Sequence, residues 1–593
     1  MCGIVGYSGK KNSVKIVLEG LKTLEYRGYD SWGIAVRDKG KLKIFKKIGE
    51  INTKLSMLPL PKTTCAIGHT RWATHGGVTI TNAHPHTSIG KDFVLAQNGI
   101  VENYGILKDM LEKRKHKFVS QTDTEVIVRL IEQQIPKTYT LKDAVRKAFN
   151  ILQGRNTIII LDSKEDDHII AVRNGSPLIL GVGKDEIFLA SDALAFTKYT
   201  KDVVFLDNFD LIEIFGNKFK IYDAKTGKEK KYKVTKLISK TENISKGRYN
   251  HFMLKEIVEQ RDSLLRAVNH KLKDLKPLIN AISNSNRIYV TGAGTAGFAS
   301  GQIAYYLKNI SKVDSIDIKS YDFQSYLPIL KKEDLVIAVS QSGETADTIE
   351  VLEYAQGLGC KIACIVNVEG STIHRMSDLK YLINAGPEIC VASTKVFTSQ
   401  CVFGYLLAKS IVGEYRGAKT EVKKLSENLK KYFTEKTFKH IKNLVKKIKQ
   451  KNHFFILGKG QNTFISLEGA LKVKEISYKH FEGFSAGELK HGVIALIERN
   501  TPVFSIISDD EFSKDLISAT EEVKARHALT IGVGDKKFKN EECFKYFLPV
   551  VKSEELSAIA NVVPFQLLSY FLAVSLGNSV DKPRNLAKSV TVK

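Results

Sequence analysis

The 593-residue chain has seven cysteines, at positions 2, 65, 360, 364, 390, 401 and 543, and no CxxC pair among them. Their spacing matches no disulfide framework. Most sit in apolar runs such as GLGCKIACIVN, which reads as small core residues kept in a reducing compartment. Long hydrophobic runs also look absent, since no stretch approaches the ~20 residues of a membrane helix. The opening CGIVGYSGKK turns polar too early for a signal sequence. A cytoplasmic protein with no membrane contact is expected. Acidic residues are scarce, 64 against 90 Lys and Arg, which gives a formal charge of +26. No recognisable nucleic-acid motif accompanies that excess, so no nucleic-acid partner is expected. The run Lys423, Lys424, Lys430 and Lys431 falls on an amphipathic pattern and reads as a solvated helix face. At most, the charge draws small anions towards the surface.

The composition that is present, 43% hydrophobic and 26% charged, is that of ordinary globular protein. The length suggests about four units. Residues 1–239 carry short strand-like runs (KLKIFKKI, DFVLAQNG, NTIIILD, HIIAVRN, EIFLASD, DLIEIFGNKFKIYD) broken by helical segments at 123–134 and 141–152. This predicts an α+β domain with antiparallel sheet. A polar linker is expected at 240–250. From 287 the pattern becomes strand, glycine loop, helix, as in RIYVTGAGTAGFAS and LVIAVSQSGETADTIEVLEYAQ, which predicts a parallel doubly wound sheet. NHFFILGKGQNTFIS echoes the first of these units, so two similar α/β domains are expected, at 251–430 and 431–580, followed by a tail at 581–593.

Several groups could carry chemistry. Cys2 follows the initiator methionine. Once that residue is removed, its thiol would sit beside a free α-amine, whose ordinary pKa of about 7.7–8.0 suits a built-in base. Alternatively, position 2 tolerates any small residue. In SQSGET, Ser340, Ser342 and Thr345 offer hydroxyls and Gly343 lets amides turn inward, at a strand end that opens a helix. That is a phosphate-binding arrangement. The loop lacks the lysine of GxxxxGK[ST], so a nucleoside triphosphate is not indicated. A second hydroxyl-bearing turn lies at Ser393 and Thr394. Glu468, Lys472 and Glu475 recur at i, i+4 and i+7, within roughly 60° on one helix face. They suit a proton shuttle between adjacent carbons, and equally a surface ion-pair ladder. His491 suits an acid, a base or a structural role. His69, His75, His84 and His86 cluster in sequence, but no neighbouring pattern completes a metal site. Lys588 lies in a tail, DKPRNLAKSVTVK, mixed enough to dock rather than fray, which would present an amine nucleophile.

In order along the chain, MCGIVGY, LEYRGYDSWGIAV, HTRWATHG, NGIVENY, TDTEVI, SQSGETADT, VASTKVFT, LEGALKVKEISY, AGELKHG and DKPRNLAKSVTV resemble the isomerising glutamine–fructose-6-phosphate aminotransferase family. The resemblance covers essentially the whole chain. It implies an α+β N-terminal-nucleophile (αββα) glutaminase domain followed by two α/β doubly wound sugar-isomerase domains. It also implies glutamine and fructose 6-phosphate as substrates, no cofactor, no metal, and at least a homodimer. Cys2 would attack the glutamine amide, with Asn98 and Gly99 forming the oxyanion hole. Arg71 and Asp123 would hold the glutamine backbone groups, and Trp72 and His75 would lie on the closing loop. Ammonia would then pass through an internal channel. The sugar phosphate would be held by Thr295, Ser340, Gln341, Ser342, Thr345, Val391 and Ser393. His491, from the neighbouring subunit, would open the ring, and Lys588 would form a Schiff base at C2. Glu475 would move the proton between C2 and C1, supported by Glu468 and Lys472. One departure stands out: TGAGTAGF places Ala296 where the family carries a serine. That loses one hydroxyl hydrogen bond, about 0.5–1.5 kcal/mol, and weaker sugar-phosphate binding is expected.

Overall fold

The computed structural model describes residues 2–237 and 245–591. The chain divides into two compact units, Met1–Thr241 with Ser589–Lys593, and Glu242–Lys588. The expected linker lies partly outside the described residues; its described part, 245–250, carries no helix or strand.

In the first unit, an eight-stranded and a six-stranded sheet pack face to face, and every strand pairing is antiparallel. Ile4, Ile67, Ala96, Ile159, Leu161 and Leu189 fill the space between them. The helix Ser13–Leu24 covers the outer face of one sheet. Helices Tyr104–Lys113, Thr124–Gln134 and Leu141–Phe149 cover the other. The result is a four-layer αββα sandwich. Strand Asn156–Asp162 is therefore buried at every position, which explains its unbroken NTIIILD run. Several strands are not foreseen by the pattern, among them Ser31–Asp38, Cys65–Arg71 and the first of the chain. Gly3–Gly9 sits mid-sheet, between Glu186–Ala190 and Cys65–Arg71. Its three glycines dilute the strand signal, yet they are required by packing. A Cβ on Gly6 would fall 2.5 Å from Ile159 Cδ1 of the facing sheet.

The second unit contains two five-stranded parallel sheets. The first runs Ile316–Lys319, Ile288–Gly292, Leu335–Ser340, Lys361–Val366, Leu379–Leu382. The second runs His480–Ser485, His453–Gly458, Pro502–Ile507, Leu529–Gly534, Tyr546–Pro549. Numbered within each sheet, both follow the order 2-1-3-4-5, so the repeat is one of topology as well as sequence. One apolar core joins them, built by helices Phe252–Ala267, Thr295–Asn309, Lys395–Ile411, Asn462–Ser477 and Ser557–Ser575.

That last helix corrects the sequence-based expectation about hydrophobic runs. Glu554–Ser575 is long and apolar enough to cross a membrane by length and composition. It is instead a core helix, buried along almost its whole length. Asn561, Pro564 and Gln566 interrupt the run in the sequence and hide it. In the fold, Asn561 Nδ2 donates to Asn462 Oδ1 at 2.9 Å, and Gln260 Nε2 donates to Gln566 Oε1 at 2.7 Å. The polar groups are thus satisfied by protein.

Candidate active site

Two clusters of reactive side chains stand out, one in each unit. In the first unit, Cys2 lies at the start of the central strand, whose partner Cys65–Arg71 ends beside it in the register Gly3↔Thr70. The half-buried thiol is clasped by one peptide. Trp72 N–H donates to Cys2 Sγ at 3.3 Å, and Sγ lies 3.5 Å from Trp72 O. Burial pushes the thiol's pKa up, countered in part by the Trp72 N–H and the Arg71 guanidinium. At rest the Cys2 thiol is therefore held towards its neutral form.

Asn98 reaches the same point from the facing sheet. Its Nδ2 donates to Cys2 O at 3.2 Å and to Ser191 Oγ at 2.8 Å. Its Oδ1 lies 3.1 Å from His69 Nε2, which is also 2.9 Å from Gln97 O. Two acceptors on one nitrogen fix that nitrogen as the N–H donor, and this sets which way the Asn98 amide faces. Gly99 follows with φ +134°, and a Cβ there would fall 2.0 Å from Arg155 O. Only glycine brings the chain this close.

Arg71 donates to the carbonyls of His75 at 2.5 Å, Gly77 at 3.2 Å and Gly76 at 3.3 Å. It braces the loop that carries His75. Asp123, just ahead of helix Thr124–Gln134, accepts the Val101 N–H at 2.8 Å and lies 4.0 Å from His75 Nδ1. Burial raises its carboxyl. Sequence reasoning missed Asp30, whose carboxylate accepts the Ala73 N–H at 2.8 Å and anchors the residue after Trp72. A DS dipeptide next to a strand offers no signal for this.

The histidines of the sequence cluster do not form a metal site. His69 and His84 pack ring to ring at 4.3 Å, and His84 and His86 at 4.9 Å. Burial depresses all three, His69 to about 3. His84 and His86 bond the hydroxyls of Thr124 and Thr122. Among the described residues, no group of His, Cys, Asp and Glu is arranged to hold a metal.

In the second unit, Thr295 lies just beyond the carboxyl end of strand Ile288–Gly292, and Ser340 closes the adjacent parallel strand Leu335–Ser340. The strand order reverses there, and such sheets open a crevice at that point. The SQSGET loop is tight. Gly343 N–H donates to Ser340 Oγ at 3.0 Å, and Glu344 N–H donates to Ser342 Oγ at 3.1 Å. Gly343 has φ +66°, and a Cβ would meet Ser371 Oγ at 2.0 Å. Thr345 stands 3.4 Å from Ser340 and opens helix Ala346–Leu358. Gln341 and Ser342 remain partly exposed. The corresponding crevice of the second sheet is different. Its loop carries Asp509, Asp510 and Glu511, and Phe512 packs 2.4 Å from where a Gly460 Cβ would be. Acid and a filling ring leave only the first crevice suited to phosphate.

Helix Asn462–Ser477 brings Glu468 and Lys472 against that first crevice, both fully buried. The surface-ladder alternative is thereby excluded. Lys472 Nζ lies 2.6 Å from Glu475 Oε2, 2.9 Å from Thr295 Oγ1 and 3.5 Å from Glu468 Oε1. Burial raises Glu468 to about 8. Lys472 is held above its ordinary value because its two carboxylates outweigh the cost of burial.

Lys588 is not a solvated tail residue. Its side chain is 3% exposed, and Nζ lies 2.5 Å from Glu388 Oε2. Val391, in the same loop as Glu388, donates its N–H to Asp581 O at 3.1 Å and pins the start of the tail. Ser393 lies beside Glu388. His491 is the exception. It ends the short helix Ala486–His491 and is exposed, and no hydrogen bond or ion pair joins it to the Lys472 cluster. Ala296 sits in the first turn after Thr295 and offers only its carbonyl, to Ser300 Oγ at 2.8 Å.

Residues 69–198 match the glutamine amidotransferase domain family, and 281–410 and 447–576 each match the SIS domain family. A protein from Pyrococcus horikoshii named glutamine–fructose-6-phosphate aminotransferase (isomerizing) is 42% identical, with both chains covered in full. One of the same name from Thermococcus kodakarensis is 40% identical, again over the full length of both. The chain belongs to the isomerising glutamine–fructose-6-phosphate aminotransferase family. A solved C-terminal domain of glucosamine-fructose-6-phosphate aminotransferase from Francisella tularensis agrees with its second unit. That structure is 31% identical with a TM-score of 0.52, over 57% of this chain and 100% of that one.

Proposed function

We infer that this chain hydrolyses glutamine and passes the ammonia to fructose 6-phosphate with ketose-to-aldose isomerisation, giving glucosamine 6-phosphate and glutamate. The observation that carries this reading is the presence of both clusters in one chain that matches the family over its full length. The division into a glutaminase domain at 1–239, a linker at 240–250, sugar-isomerase domains at 251–430 and 431–580, and a tail at 581–593 belongs to the same reading.

In the first unit, Cys2 is the nucleophile. Its own α-amine, free once the methionine is removed, takes the thiol proton, because burial leaves the thiol neutral at rest. The Asn98 Nδ2 proton now resting on Cys2 O, with the Gly99 N–H, meets the oxyanion as charge develops. Arg71 and Asp123 take the α-carboxylate and α-ammonium of glutamine, while Trp72 and His75 close over it. In the second unit, the hydroxyls of Thr295, Ser340, Ser342 and Thr345 hold the phosphate with Gln341, and Val391 and Ser393 line the sugar. Lys588 forms the Schiff base at C2. Glu475 carries the proton between C2 and C1, and Lys472 and Glu468 fix its carboxylate and its charge. His491 opens the ring. Its exposure supports service to a second subunit, hence a homodimer or larger assembly. Seven free cysteines support a reducing, cytoplasmic setting.

The test is a product assay with glutamine, with and without fructose 6-phosphate. Glutamate and glucosamine 6-phosphate should appear one for one. Glutamate formation that ignores the sugar would remove fructose 6-phosphate as acceptor, and other ketose phosphates would then be screened because of Ala296.

A further inference from the structure

We propose that Glu388 is the proton acceptor for Lys588, taking a proton from its ammonium so that the free amine can attack the ketose carbonyl. The proposal rests on the Schiff-base reading of Lys588 given above.

An ammonium has no lone pair, so a lysine buried as an ion pair is chemically inert until a partner removes a proton. Glu388 is the only carboxylate recorded within ion-pair distance of Lys588 Nζ among the described residues, and its side chain is fully buried. Its two oxygens are divided between tasks. Oε1 accepts the N–H groups of Thr394 at 2.9 Å and Val396 at 3.2 Å, at the start of helix Lys395–Ile411. Oε2 is left to the lysine. The helix end therefore anchors the carboxylate without occupying the oxygen that would take the proton.

The surrounding charges keep Glu388 ionised at rest. Glu256, on helix Phe252–Ala267, faces it and accepts the Ile389 N–H at 2.6 Å. Burial and the charge of Glu388 push Glu256 up to about 8, so it is protonated near neutrality and adds no second negative charge. Lys395 bonds Glu259 at 2.8 Å, and its charge also reaches Glu256. From helix Asn462–Ser477, Lys472 feels the Glu388 charge, which links this pair to the Glu475 cluster. Cys390 and Asp581 complete the group. Burial opposes ionisation of Glu388, but Lys588 and the backbone N–H of Thr394 prevail and hold its carboxyl below the usual range.

The step balances. Lys588 Nζ gives one proton to Glu388 Oε2. The amine lone pair forms the N–C2 bond, and the carbonyl π pair moves to oxygen. The second nitrogen proton passes to that alkoxide. Glu388 then protonates the resulting hydroxyl, which leaves as water while the nitrogen lone pair closes the C=N bond. The carboxylate is regenerated, and one ammonium plus one ketone has become one iminium plus water.

The experiment uses the full-length chain with fructose 6-phosphate and sodium cyanoborohydride, and follows the reduced adduct on Lys588 by peptide mass. Wild type should label at Lys588. Glu388→Gln should label at least about 10²-fold more slowly at pH 7. Its rate should climb as pH is raised, because hydroxide from solution then removes the proton that Glu388 no longer takes. Wild-type labelling should show no such climb. If Glu388→Gln does not fold by circular dichroism, Glu388→Asp decides. It should label more slowly than wild type but keep the wild-type pH profile. No adduct in wild type would overturn the Schiff-base reading itself. An adduct in wild type, with variant rates and profiles equal to it, would overturn the role of Glu388 and leave the Schiff base standing.

Discussion

The two reactive clusters solve opposite electrostatic problems. Around Cys2 stand dipoles, the Asn98 amide, the Ser191 hydroxyl and three histidines that burial keeps neutral, and the buried Arg71 and Asp123 bond backbone groups rather than each other. Around Thr295 and Lys588 the groups are full charges in close pairs, Lys472 with Glu475 and Lys588 with Glu388, and burial keeps the neighbouring Glu468 protonated near neutrality. The difference fits the chemistry proposed for each. On that reading an amide is opened by a nucleophile that carries its own base, and dipoles already in place meet the new oxyanion at little reorganisation cost. Moving protons between carbons of a sugar needs groups that hold and release them, which must be charged and therefore paired if buried.

Breaking the charged region should have the largest effect. Lys472→Met strands the Glu475 carboxylate, and removal of one partner from a buried pair costs about 3–5 kcal/mol. Urea unfolding should show a transition lowered by that amount, and Glu475→Gln added to Lys472→Met should restore part of it. An unchanged transition would mean that the pair is not buried as described. The dipolar region should respond in rate rather than stability. Asn98→Ala should lower kcat for glutamine hydrolysis by about 10²–10³-fold, with little change in KM.

A smaller effect sharpens the boundary of the sugar site. Ala296→Ser supplies a hydroxyl in the turn that follows the first crevice. It should lower KM for fructose 6-phosphate by a few-fold, in line with about 0.5–1.5 kcal/mol for one hydrogen bond. No change would place that residue outside the phosphate shell.

The smallest effect tests the one buried histidine of the first unit that is not depressed. His168 lies 2.9 Å from Asp162 and 3.6 Å from Glu213. Burial disfavours its charge, but the two carboxylates outweigh it and raise its pKa above the ordinary 6.5. A raised folded value means that the stability it contributes is complete below pH 6.5 and is lost as pH rises through the folded value. Melting temperature should therefore fall gently above pH 6.5, and His168→Gln should flatten that slope. An equal slope in the variant would contradict the assignment.

Much of this was legible from residue pattern. NTIIILD, HIIAVRN and DLIEIFGNKFKIYD became strands because each buries an apolar face, and the SQSGET loop became a turn because Gly343 needs a left-handed backbone. Glu468, Lys472 and Glu475 share one helix face as their spacing dictates. What spacing could not decide was burial: the same triad reads as a solvated ladder until the core around helix Asn462–Ser477 is seen. Glu388 escaped notice because a lone acid in GPEIC has no periodic partner. Its position six residues ahead of the Thr394 N–H it receives was the one available cue. His69 was visible only as part of a histidine cluster, and its role emerges from Asn98, which lies 29 positions further on and in the facing sheet.

On the proposed function the two clusters perform separable chemistry in one chain, and Cys2→Ala tests that separation. The variant should release no glutamate from glutamine, a loss of at least about 10³-fold for removal of a nucleophile. It should still incorporate deuterium from D2O into fructose 6-phosphate at the wild-type rate, because Glu475, Lys472 and Lys588 are untouched. Loss of both activities would contradict the claim, as would continued glutamate release without the thiol.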